Sequence, residues 1–303
     1  MKLTVVIPTL GRDAVLTDTI GSLLALSPPP DEILVVDQSA SHDPETRQRL
    51  QAWHDAGSIR WIRASDPSIP KAMNRGLVEA ASELVLFLDD DIIPHADLVA
   101  AHRRAHEAGT ATIVAGRVVQ PWETALADVP DEPFRFCSMR ARAVLTFMGG
   151  NFSIRRKAAL ELGGFDENFV GVAYRFEAEF ADRVLARGGS IRFEPAASLH
   201  HLKAGSGGTR TAGDHLSRPS ARHSVGEYYY LMRSARLGLA ARVGGMLRRP
   251  VRALFSRYNL ARPWMGPRAL LAEILGFIWA ARLAMSGGRY LTETGDARGA
   301  SPR

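Results

Sequence analysis

Cysteine is almost absent from this chain of 303 residues, since Cys137 is the only one. A single thiol excludes an internal disulfide, and no Cys/His spacing resembles a zinc site, so a reducing, cytoplasmic compartment is expected. Long apolar runs are scarce as well. The first apolar run reaches Pro8 too early to form the core of a signal peptide. Residues 269–285 are interrupted by Glu273 and Arg282, which makes this segment too short and too charged for a transmembrane helix.

Several nucleotide-binding motifs are missing. The sequence has neither the G-x-G-x-x-G pattern after its first predicted strand nor a Walker A pattern, which argues against a dinucleotide-dependent dehydrogenase and a phosphate-loop ATPase. It also lacks an RNA-recognition or helix-turn-helix motif, so nucleic acid is not an expected partner. An apolar content of 46% and a charged content of 23% are ordinary for a globular protein with a sizeable core.

Acidic residues are rare in the last third of the chain. The net charge of +6 is unevenly distributed along the chain. There are 16 basic and 5 acidic residues from position 210 onward, while the first 209 residues carry a net negative charge. A basic segment of this kind suits anionic lipid, nucleic acid or phosphate-bearing molecules.

The remaining sequence alternates apolar runs with amphipathic stretches, which predicts an α/β fold with a mostly parallel sheet flanked by helices. The predicted strands are 3–7, 33–36, 59–62, 84–88 and 112–115. The predicted helices are 14–26, 44–54, 69–81 and 96–107, with Asp13 and Asp43 as N-caps.

Three consecutive aspartates, Asp89, Asp90 and Asp91, directly follow the apolar run 84–88. A run of this kind is typical of a strand buried on both faces, so the carboxylates emerge at its C-terminal end, where open α/β sheets bind ligands. The three negative charges repel one another there unless a cation or a hydrogen-bond network compensates them. Hard divalent ions are suitable cations, because they prefer oxygen ligands. The alternative is a solvated turn that caps the next helix, with Pro94 in its first turn.

Two further loops open on the same predicted edge. The first strand ends in the residues 8–12 (PTLGR), and the second ends in Asp37, Gln38 and Ser39. A carboxylate at the end of the second strand is placed to accept hydrogen bonds from a base or ribose.

In combination these motifs resemble a known family. The segments that carry the resemblance are 5–9 (VVIPT), 35–37 (VVD), 71–76 (KAMNRG), 87–91 (FLDDD), 149–156 (GGNFSIRR) and 163–167 (GGFDE). In this order they resemble the family 2 glycosyltransferases of GT-A fold, over about residues 3 to 210. The resemblance implies transfer of a sugar from a nucleoside diphosphate donor, with inversion, to an acceptor hydroxyl.

The resemblance assigns a role to each matching residue on the donor side. Asp37 is implied to contact the nucleobase, Asp89 to lie near the ribose, and Asp91 to coordinate Mn²⁺ or Mg²⁺ at the diphosphate, with Asp90 mainly structural. The remaining implied donor-site residues are Pro8, Thr9, Arg12, Lys71, Asn74 and, in a mobile loop at 206–210, Arg210. For Arg12 a merely solvated side chain is the alternative.

A histidine near residue 200 is implied as an additional ligand of the metal or diphosphate. His200 and His201 are adjacent, and period-two alternation points only one of them at the site. The motif spacing slightly favours His200. Imidazole is a better ligand for Mn²⁺ than for Mg²⁺.

The acceptor side carries the general base and departs from the common family pattern. Counting back from Arg183 places Glu177 at the position of the base, while Phe176 replaces the acid that usually precedes it. Glu179 lies on another helical face and is expected to be structural or to contact the acceptor. Gly150 and Asn151 belong to the acceptor-side segment.

The sequence predicts two regions, a catalytic domain at 1–215 and a helical, basic C-terminal region at 216–303. The second region either lies on the inner face of the cytoplasmic membrane or forms a helical cap or dimer contact. A lipid-linked rather than a free saccharide acceptor would rationalise the membrane alternative. The expected function is synthesis of a surface polysaccharide or glycolipid, and the alternative is a catalytically silent nucleotide-sugar-binding protein.

Overall fold

The computed structural model describes residues 1–123, 133–208 and 219–292, together with the backbone of 297–299. Its main element is a nine-stranded mixed sheet with the strand order β3-β2-β1-β4-β8-β6-β9-β5, and β7 pairs with β9. The strands of this sheet are β1 (Leu3–Thr9), β2 (Glu32–Asp37), β3 (Arg60–Arg63), β4 (Leu84–Leu88), β5 (Ile92–Pro94), β6 (Ile113–Val119), β7 (Arg142–Val144), β8 (Asn151–Arg155) and β9 (Ile191–His201).

The first four strands are parallel, and the sheet becomes mixed beyond β4. β1 pairs in parallel with both β2 and β4, whereas β8 is antiparallel to β4 and to β6. The short strands β10 (Arg289–Leu291) and β11 (Ala297–Gly299) form a separate pair. The predicted α/β class with a largely parallel sheet is confirmed.

Ten α-helices in the described residues accompany the strands. They are α1 (Ala14–Leu24), α2 (Pro44–Asp55), α3 (Ile69–Glu79), α4 (Leu98–Glu107), α5 (Arg156–Glu161), α6 (Phe176–Ala186), α7 (Ala221–Arg233), α8 (Leu239–Leu254), α9 (Arg257–Leu260) and α10 (Gly266–Met285).

The sheet is covered by a hydrophobic cluster on each face, and its central strand β4 carries an apolar side chain at every position. Along β4, Leu84, Leu86 and Leu88 join one hydrophobic cluster, while Val85 and Phe87 join the cluster on the opposite face. Each fully buried side chain of this size stabilises the fold by roughly 1.5–3 kcal/mol. Because alternate side chains of β4 pack on opposite faces of the sheet, the strand is held from both sides and fixes the position of the aspartates that follow it.

An aromatic cluster connects the sheet to α6. Phe87 stacks on Phe152 with ring centroids 5.0 Å apart, and Phe165 bridges from Phe87 to Phe180 of α6, at 5.6 and 4.4 Å. Phe176, at the start of α6, also packs edge-on against Phe165. These contacts fix the first turn of α6 relative to the end of β4.

Only one of the two predicted N-cap side chains forms a capping hydrogen bond. Asp43 caps α2 as expected, because its carboxylate accepts a hydrogen bond of 2.7 Å from the Thr46 amide. Asp13 makes no such bond to α1, since its carboxylate accepts from His42 instead. Pro94 belongs to β5 and α4 begins at Leu98, so the alternative of a first-turn proline after the aspartates is wrong.

The C-terminal helices pack on the same core. Tyr228, Tyr229 and Tyr230 of α7 are all buried in the cluster that covers one face of the sheet. Their hydroxyls donate to Glu273, Asp166 and Asp182, respectively. Residue 215, the predicted boundary between the two regions, lies outside the described residues.

Helix α10 covers the apolar segment at 269–285. It packs against α7 and α8, and Ala280 is fully buried in the core. Within the described residues, none of the helices is both long enough and apolar enough to span a bilayer.

Candidate active site

A cleft of about 400 Å³ opens at the C-terminal ends of β1 and β4. Its donor-side wall is formed by the loop after β1 and the aspartate triplet, and its opposite wall by the start of α6. Among the residues that line it are Pro8, Thr9, Arg12, Asp89, Asp90, Asp91, Gly149, Gly150, Glu177 and His201. The expectation that the loop after β1 and the triplet share one edge of the sheet is therefore met.

The three aspartates have different environments. Asp90 is 6% exposed and accepts hydrogen bonds from the Thr9 hydroxyl at 2.7 Å and from Arg12 Nε at 3.2 Å. Burial raises the pKa of Asp90 to about 6, in spite of these partners. Asp90 is therefore a structural residue that anchors the loop after β1.

Asp91 is buried but remains ionised. Burial by itself would raise its pKa, yet hydrogen bonding and charge from His201, together with the Ala204 amide and Arg12, hold the pKa below its ordinary value. The Ala204 amide donates to Oδ2 at 2.7 Å, and His201 Nε2 lies 3.1 Å from Oδ1. Asp91 thus presents a fixed anionic oxygen to the cleft.

Asp89, Asp91 and His201 form a group that could hold a metal ion. One ligand atom of each lies within 4.8 Å of the others. Two carboxylate oxygens and one imidazole nitrogen are a donor set that suits Mn²⁺, and Mg²⁺ less well. The side chain of Asp89 is half exposed, so its carboxylate faces the cleft.

The preference for His200 over His201 is wrong. His200 turns to the other side of β9, where its ring stacks on His95 with centroids 6.0 Å apart. His201 is the residue beside Asp91. Counting alternate side chains from the start of β9 does not predict which histidine faces the cleft, because the pairing of β9 with β6 changes register after Gly116.

Arg12 lines the cleft but is buried, so the alternative of a solvated side chain is wrong. It is 6% exposed and contacts both Asp90 and Asp91, with Nη2 at 3.3 Å from Asp91 Oδ2, and it donates to the Ala204 carbonyl. A buried guanidinium between two carboxylates compensates part of their charge. This role depends on contacts with residues 78 and 79 positions away and was not predictable from the sequence.

Glu177 faces the aspartates from the opposite wall. Arg175, which precedes α6, has a left-handed backbone with φ 76° and ends the preceding loop, so that Glu177 falls in the first turn of the helix. A Cβ atom at Gly149 would lie 3.0 Å from Glu177 Oε1, so this glycine gives the carboxylate its space. Burial, with a contribution from the charge of Asp89, raises the pKa of Glu177 to about 7.

Asp37 does not line the cleft, contrary to expectation. Its side chain is 0% exposed, and its Oδ2 accepts hydrogen bonds from His42 at 2.8 Å and from Trp61 at 2.9 Å. Its Oδ1 accepts from the Ser39 amide. Gln38, the next residue, lines the cleft instead.

Lys71 and Asn74 also lie away from the cleft. Lys71 is ion-paired with Asp66. Asn74 is buried, accepts from the Phe165 amide at 2.7 Å and donates to the Phe165 carbonyl at 2.9 Å. Because it pairs with the backbone of the segment before α6, Asn74 positions that segment and does not reach the donor side.

Two of the predicted acceptor-side residues are structural. The Asn151 amide donates to the carbonyls of Arg117 and Ala197 in the sheet, and its oxygen is hydrogen-bonded to His102 of α4. Glu179 forms a buried ion pair with Arg183 at 2.7 Å, which supports the structural alternative for this residue. Gly150 does line the cleft. Arg210 lies outside the described residues.

The sequence was compared with known families, and the model for "Glycosyl transferase family 2" matches residues 4–164. This match covers more than half of the chain. The protein belongs to glycosyl transferase family 2. The family-matched part contains the aspartate triplet and Gly149–Gly150 but ends before Glu177 and His201, so the family model does not itself include the two outer groups of the cleft.

Two curated relatives are similar in sequence to this member of the family. Validoxylamine A glucosyltransferase of Streptomyces hygroscopicus subsp. limoneus is 29% identical over 203 residues, which is 56% of this chain and 45% of the relative. Probable glycosyltransferase YdaM of Bacillus subtilis (strain 168) is 28% identical over 214 residues, covering 65% and 49%. The chain thus spans about half the length of each.

Solved structures share the fold at low identity. The mannosyltransferase PcManGT of Pyrobaculum calidifontis, in complex with GDP-Man and Mn²⁺, is 17% identical with a TM-score of 0.58, covering 92% of this chain and 87% of that one. GalNAc-T7 with UDP, GalNAc and Mn²⁺ is 15% identical with a TM-score of 0.54, covering 79% and 52%. The expected GT-A fold is confirmed.

Proposed function

We propose that this glycosyltransferase is metal-dependent and inverting, and that it transfers a sugar from a nucleoside diphosphate to an acceptor hydroxyl. The observation that carries the proposal is the opposition of two groups across one cleft. Asp89, Asp91 and His201 converge on one wall, and Glu177 faces them from the other. The first group suits a metal-bound diphosphate and the second suits a nucleophilic hydroxyl.

On the donor side, Asp89, Asp91 and His201 would hold Mn²⁺ or Mg²⁺. When bound, the ion neutralises negative charge that develops on the departing nucleoside diphosphate. The ordered hydrogen bonds to Asp91 from Ala204 and Arg12 keep its ligand oxygen in place without the substrate. Such preorganisation reduces the rearrangement needed when the donor binds.

On the acceptor side, Glu177 would accept the proton of the attacking hydroxyl. A pKa of about 7 is suited to this role, because a base whose pKa is near the working pH is both ionised and basic enough. Attack from the Glu177 side, opposite the departing diphosphate, inverts the configuration of the anomeric carbon.

The donor is a nucleoside diphosphate sugar, in keeping with the GDP-Man and UDP bound to the two structural neighbours. The acceptor is a saccharide or a lipid-linked molecule, and the pathway is assembly of a surface polysaccharide or glycolipid. Location at the inner face of the cytoplasmic membrane and homodimer formation remain expectations from the basic C-terminal region.

The test uses purified protein with UDP- and GDP-sugars and Mn²⁺ or Mg²⁺. Nucleoside diphosphate release, donor binding and the configuration of the transferred sugar are measured for the wild type, Asp91→Asn and Glu177→Gln. The proposal requires that Asp91→Asn loses metal-dependent donor binding and that Glu177→Gln binds the donor but loses transfer. Exposed Glu161→Gln serves as the control and should behave as the wild type.

The same variants test the alternative of a silent nucleotide-sugar-binding protein. Such a protein would bind the donor without turnover in the wild type, and Glu177→Gln would change nothing. Retention of the anomeric configuration, or donor binding that is independent of metal and of Asp91, would contradict the proposed mechanism.

A further inference from the structure

A second cavity, of about 430 Å³, lies between α7, α8 and α10. Its lining is rich in positive charge, because it contains four arginines and only two glutamates. The arginines are Arg175, Arg248, Arg249 and Arg252. A partly enclosed cavity of this charge is suited to an anion with several oxygens, because guanidinium groups bind phosphate through paired N–H donors.

Two of these arginines already have carboxylate partners. Arg175 Nε lies 2.9 Å from Glu227, and Arg249 Nε lies 2.8 Å from Glu273. Arg248 and Arg252 have neither an ion pair nor a side-chain hydrogen bond within the residues that the structure describes. They are one helical turn apart on α8 and line the same cavity, so their charges are available to a ligand.

The basic cavity is separated from the catalytic cleft by a thin wall. Tyr174 and Arg175 line the basic cavity, whereas the next residues, Phe176 and Glu177, line the cleft. The left-handed backbone of Arg175 marks the point where the chain changes from one cavity to the other. A molecule held by Arg248 and Arg252 would therefore lie on the acceptor side, beside the Glu177 wall.

The same wall is built from α7. Ser220 and His223 line the basic cavity, and Arg222 lines the cleft. A Cβ atom at Gly226 would lie 2.3 Å from the Tyr174 carbonyl, so α7 packs directly on the loop before α6. The loop before α6 and the start of α7 therefore both contribute residues to the two cavities.

The outward face of α8 is apolar. Leu239, Val243, Leu247 and Val251 recur every four residues, and Phe255 continues the series just beyond the helix. Leu247 and Phe255 are each 67% exposed, and within the described range 219–292 none of the residues of α8 is buried. This stripe, Leu239 to Phe255 at intervals of four, adjoins the edge of the helix that carries Arg248 and Arg252.

Helix α8 therefore combines two adjacent surfaces. It has four arginines and no acidic residue, with the apolar stripe directed to solvent and Arg248 and Arg252 directed to the cavity. An amphipathic helix of this kind suits a molecule with an anionic head and an apolar tail. Free inorganic phosphate would use the arginines but would leave the exposed stripe without a function.

We propose that the cavity lined by Arg248 and Arg252 binds the phosphate of an amphiphilic, lipid-linked acceptor whose apolar chain lies along the stripe of α8. The inference rests on the proposed glycosyl transfer, and it identifies the acceptor as a phospholipid-like molecule held beside Glu177. The sugar-accepting end of this molecule reaches the cleft past Tyr174 and Arg175.

The test measures equilibrium binding of three probes to the full chain by calorimetry. Dodecyl phosphate, inorganic phosphate and dodecyl maltoside are compared below the micellar concentrations of the two amphiphiles. The wild type should bind dodecyl phosphate at least about 10-fold more tightly than either other probe, because only this probe engages both surfaces. Equal affinity for inorganic phosphate would overturn the lipid assignment, and equal affinity for dodecyl maltoside would overturn the phosphate assignment.

Two double variants separate the contributions. Arg248→Gln with Arg252→Gln should weaken dodecyl phosphate binding about 10-fold or more, and Leu247→Ser with Val251→Ser should weaken it without changing the affinity for inorganic phosphate. The charge-matched control is Arg47→Gln with Arg282→Gln, two exposed arginines that do not line the cavity. Wild-type affinity in either test variant contradicts the proposal.

The donor site is tested in parallel so that the two proposals can fail separately. Asp91→Asn should leave dodecyl phosphate binding unchanged, and the arginine pair variant should leave metal-dependent donor binding unchanged. If Asp91→Asn loses donor binding but still binds dodecyl phosphate, the two sites are independent. A wild type that binds dodecyl phosphate but no nucleoside diphosphate sugar would refute the proposed transferase and not the anionic cavity.

Discussion

Gly150 lies so close to Asp89 that a Cβ atom at this position would be 2.0 Å from the Asp89 Oδ2 oxygen. The glycine therefore preserves the space in which this carboxylate points at the cleft. Gly150 ends the loop that leads into β8, and the Asp89 amide donates to its carbonyl. The candidate metal-binding group thus depends on a residue that contributes no ligand atom.

Replacing Gly150 with alanine should displace the Asp89 carboxylate and weaken Mn²⁺-dependent donor binding by about 10-fold or more. The fold should survive, because the half-exposed Asp89 side chain can move toward solvent. Calorimetric titration of the donor with and without Mn²⁺ measures the effect. Gly21→Ala in α1 is the control, since its Cβ would meet no atom within 4 Å. Unchanged metal-dependent binding in Gly150→Ala would show that Asp89 is dispensable as a ligand.

The two adjacent histidines should respond differently to substitution. His201→Ala should reduce the affinity for Mn²⁺ by about 10-fold or more, because it removes an imidazole beside Asp91. His200→Ala should leave it unchanged, because this ring stacks on His95. Mn²⁺ titration followed by electron paramagnetic resonance distinguishes them. Equal losses in both variants would contradict the geometry of β9.

The rate of sugar transfer should rise with pH through about 7, because Glu177 must be ionised to accept a proton. Burial is the main cause that raises the pKa of this group, Asp89 adds to it, and Arg175 opposes it. The rate at pH 6 should be about one tenth of the rate at pH 8, and Glu177→Gln should lower the rate at pH 8 by about 10²–10⁴-fold. A pH profile of single-turnover transfer measures both. A flat profile in the wild type would exclude Glu177 as the base.

Glu177 should also make stability depend on pH. Its pKa in the folded state is raised from its ordinary value of 4.5 to about 7, so folding favours the protonated form. The stabilising effect is fully present below pH 4.5 and is lost as the pH rises through 7. Thermal unfolding should therefore show Glu177→Gln to be more stable than the wild type at pH 8 but not at pH 4.5. Equal shifts of Tm at both pH values would contradict this linkage.

Replacing Arg12 with glutamine should destabilise the fold by about 3 kcal/mol at pH 8, because Asp90 and Asp91 lose a buried positive charge. The loss should become smaller at pH 5, where the raised pKa of Asp90 allows this carboxyl to be protonated. Urea unfolding at the two pH values measures the difference. Arg47→Gln, an exposed change on α2, should cost little at either.

Features that depend on neighbouring residues were predictable from sequence. The apolar run at 84–88 predicted the bounds of β4 correctly, and the Asp43–Pro44 pair predicted the start of α2. Hydrophobic periodicity and capping act over a few residues, so the local pattern contains the necessary information. The order of the motifs was sufficient to identify the family and the GT-A fold.

Features that depend on distant partners were not predictable in this way. Asn74 pairs with Phe165, 91 positions away, and Arg12 contacts Asp90, 78 positions away. The choice between His200 and His201 depended on an irregular register between β6 and β9. No spacing rule encodes these contacts, because they are decided when the sheet and its loops assemble.

The enclosure of Asp37 by His42 and Trp61 has a consequence for engineering. Replacing Asp37 would leave the partly buried His42 and Trp61 rings without this acceptor, so the first effect would be on folding and not on ligand choice. Gln38 lines the cleft, and its side-chain oxygen accepts a hydrogen bond from the Ser68 amide, outside the group formed by Asp37, His42 and Trp61. A library intended to change the nucleotide base accepted by the proposed transferase should therefore be randomised at Gln38, with Asp37 kept constant.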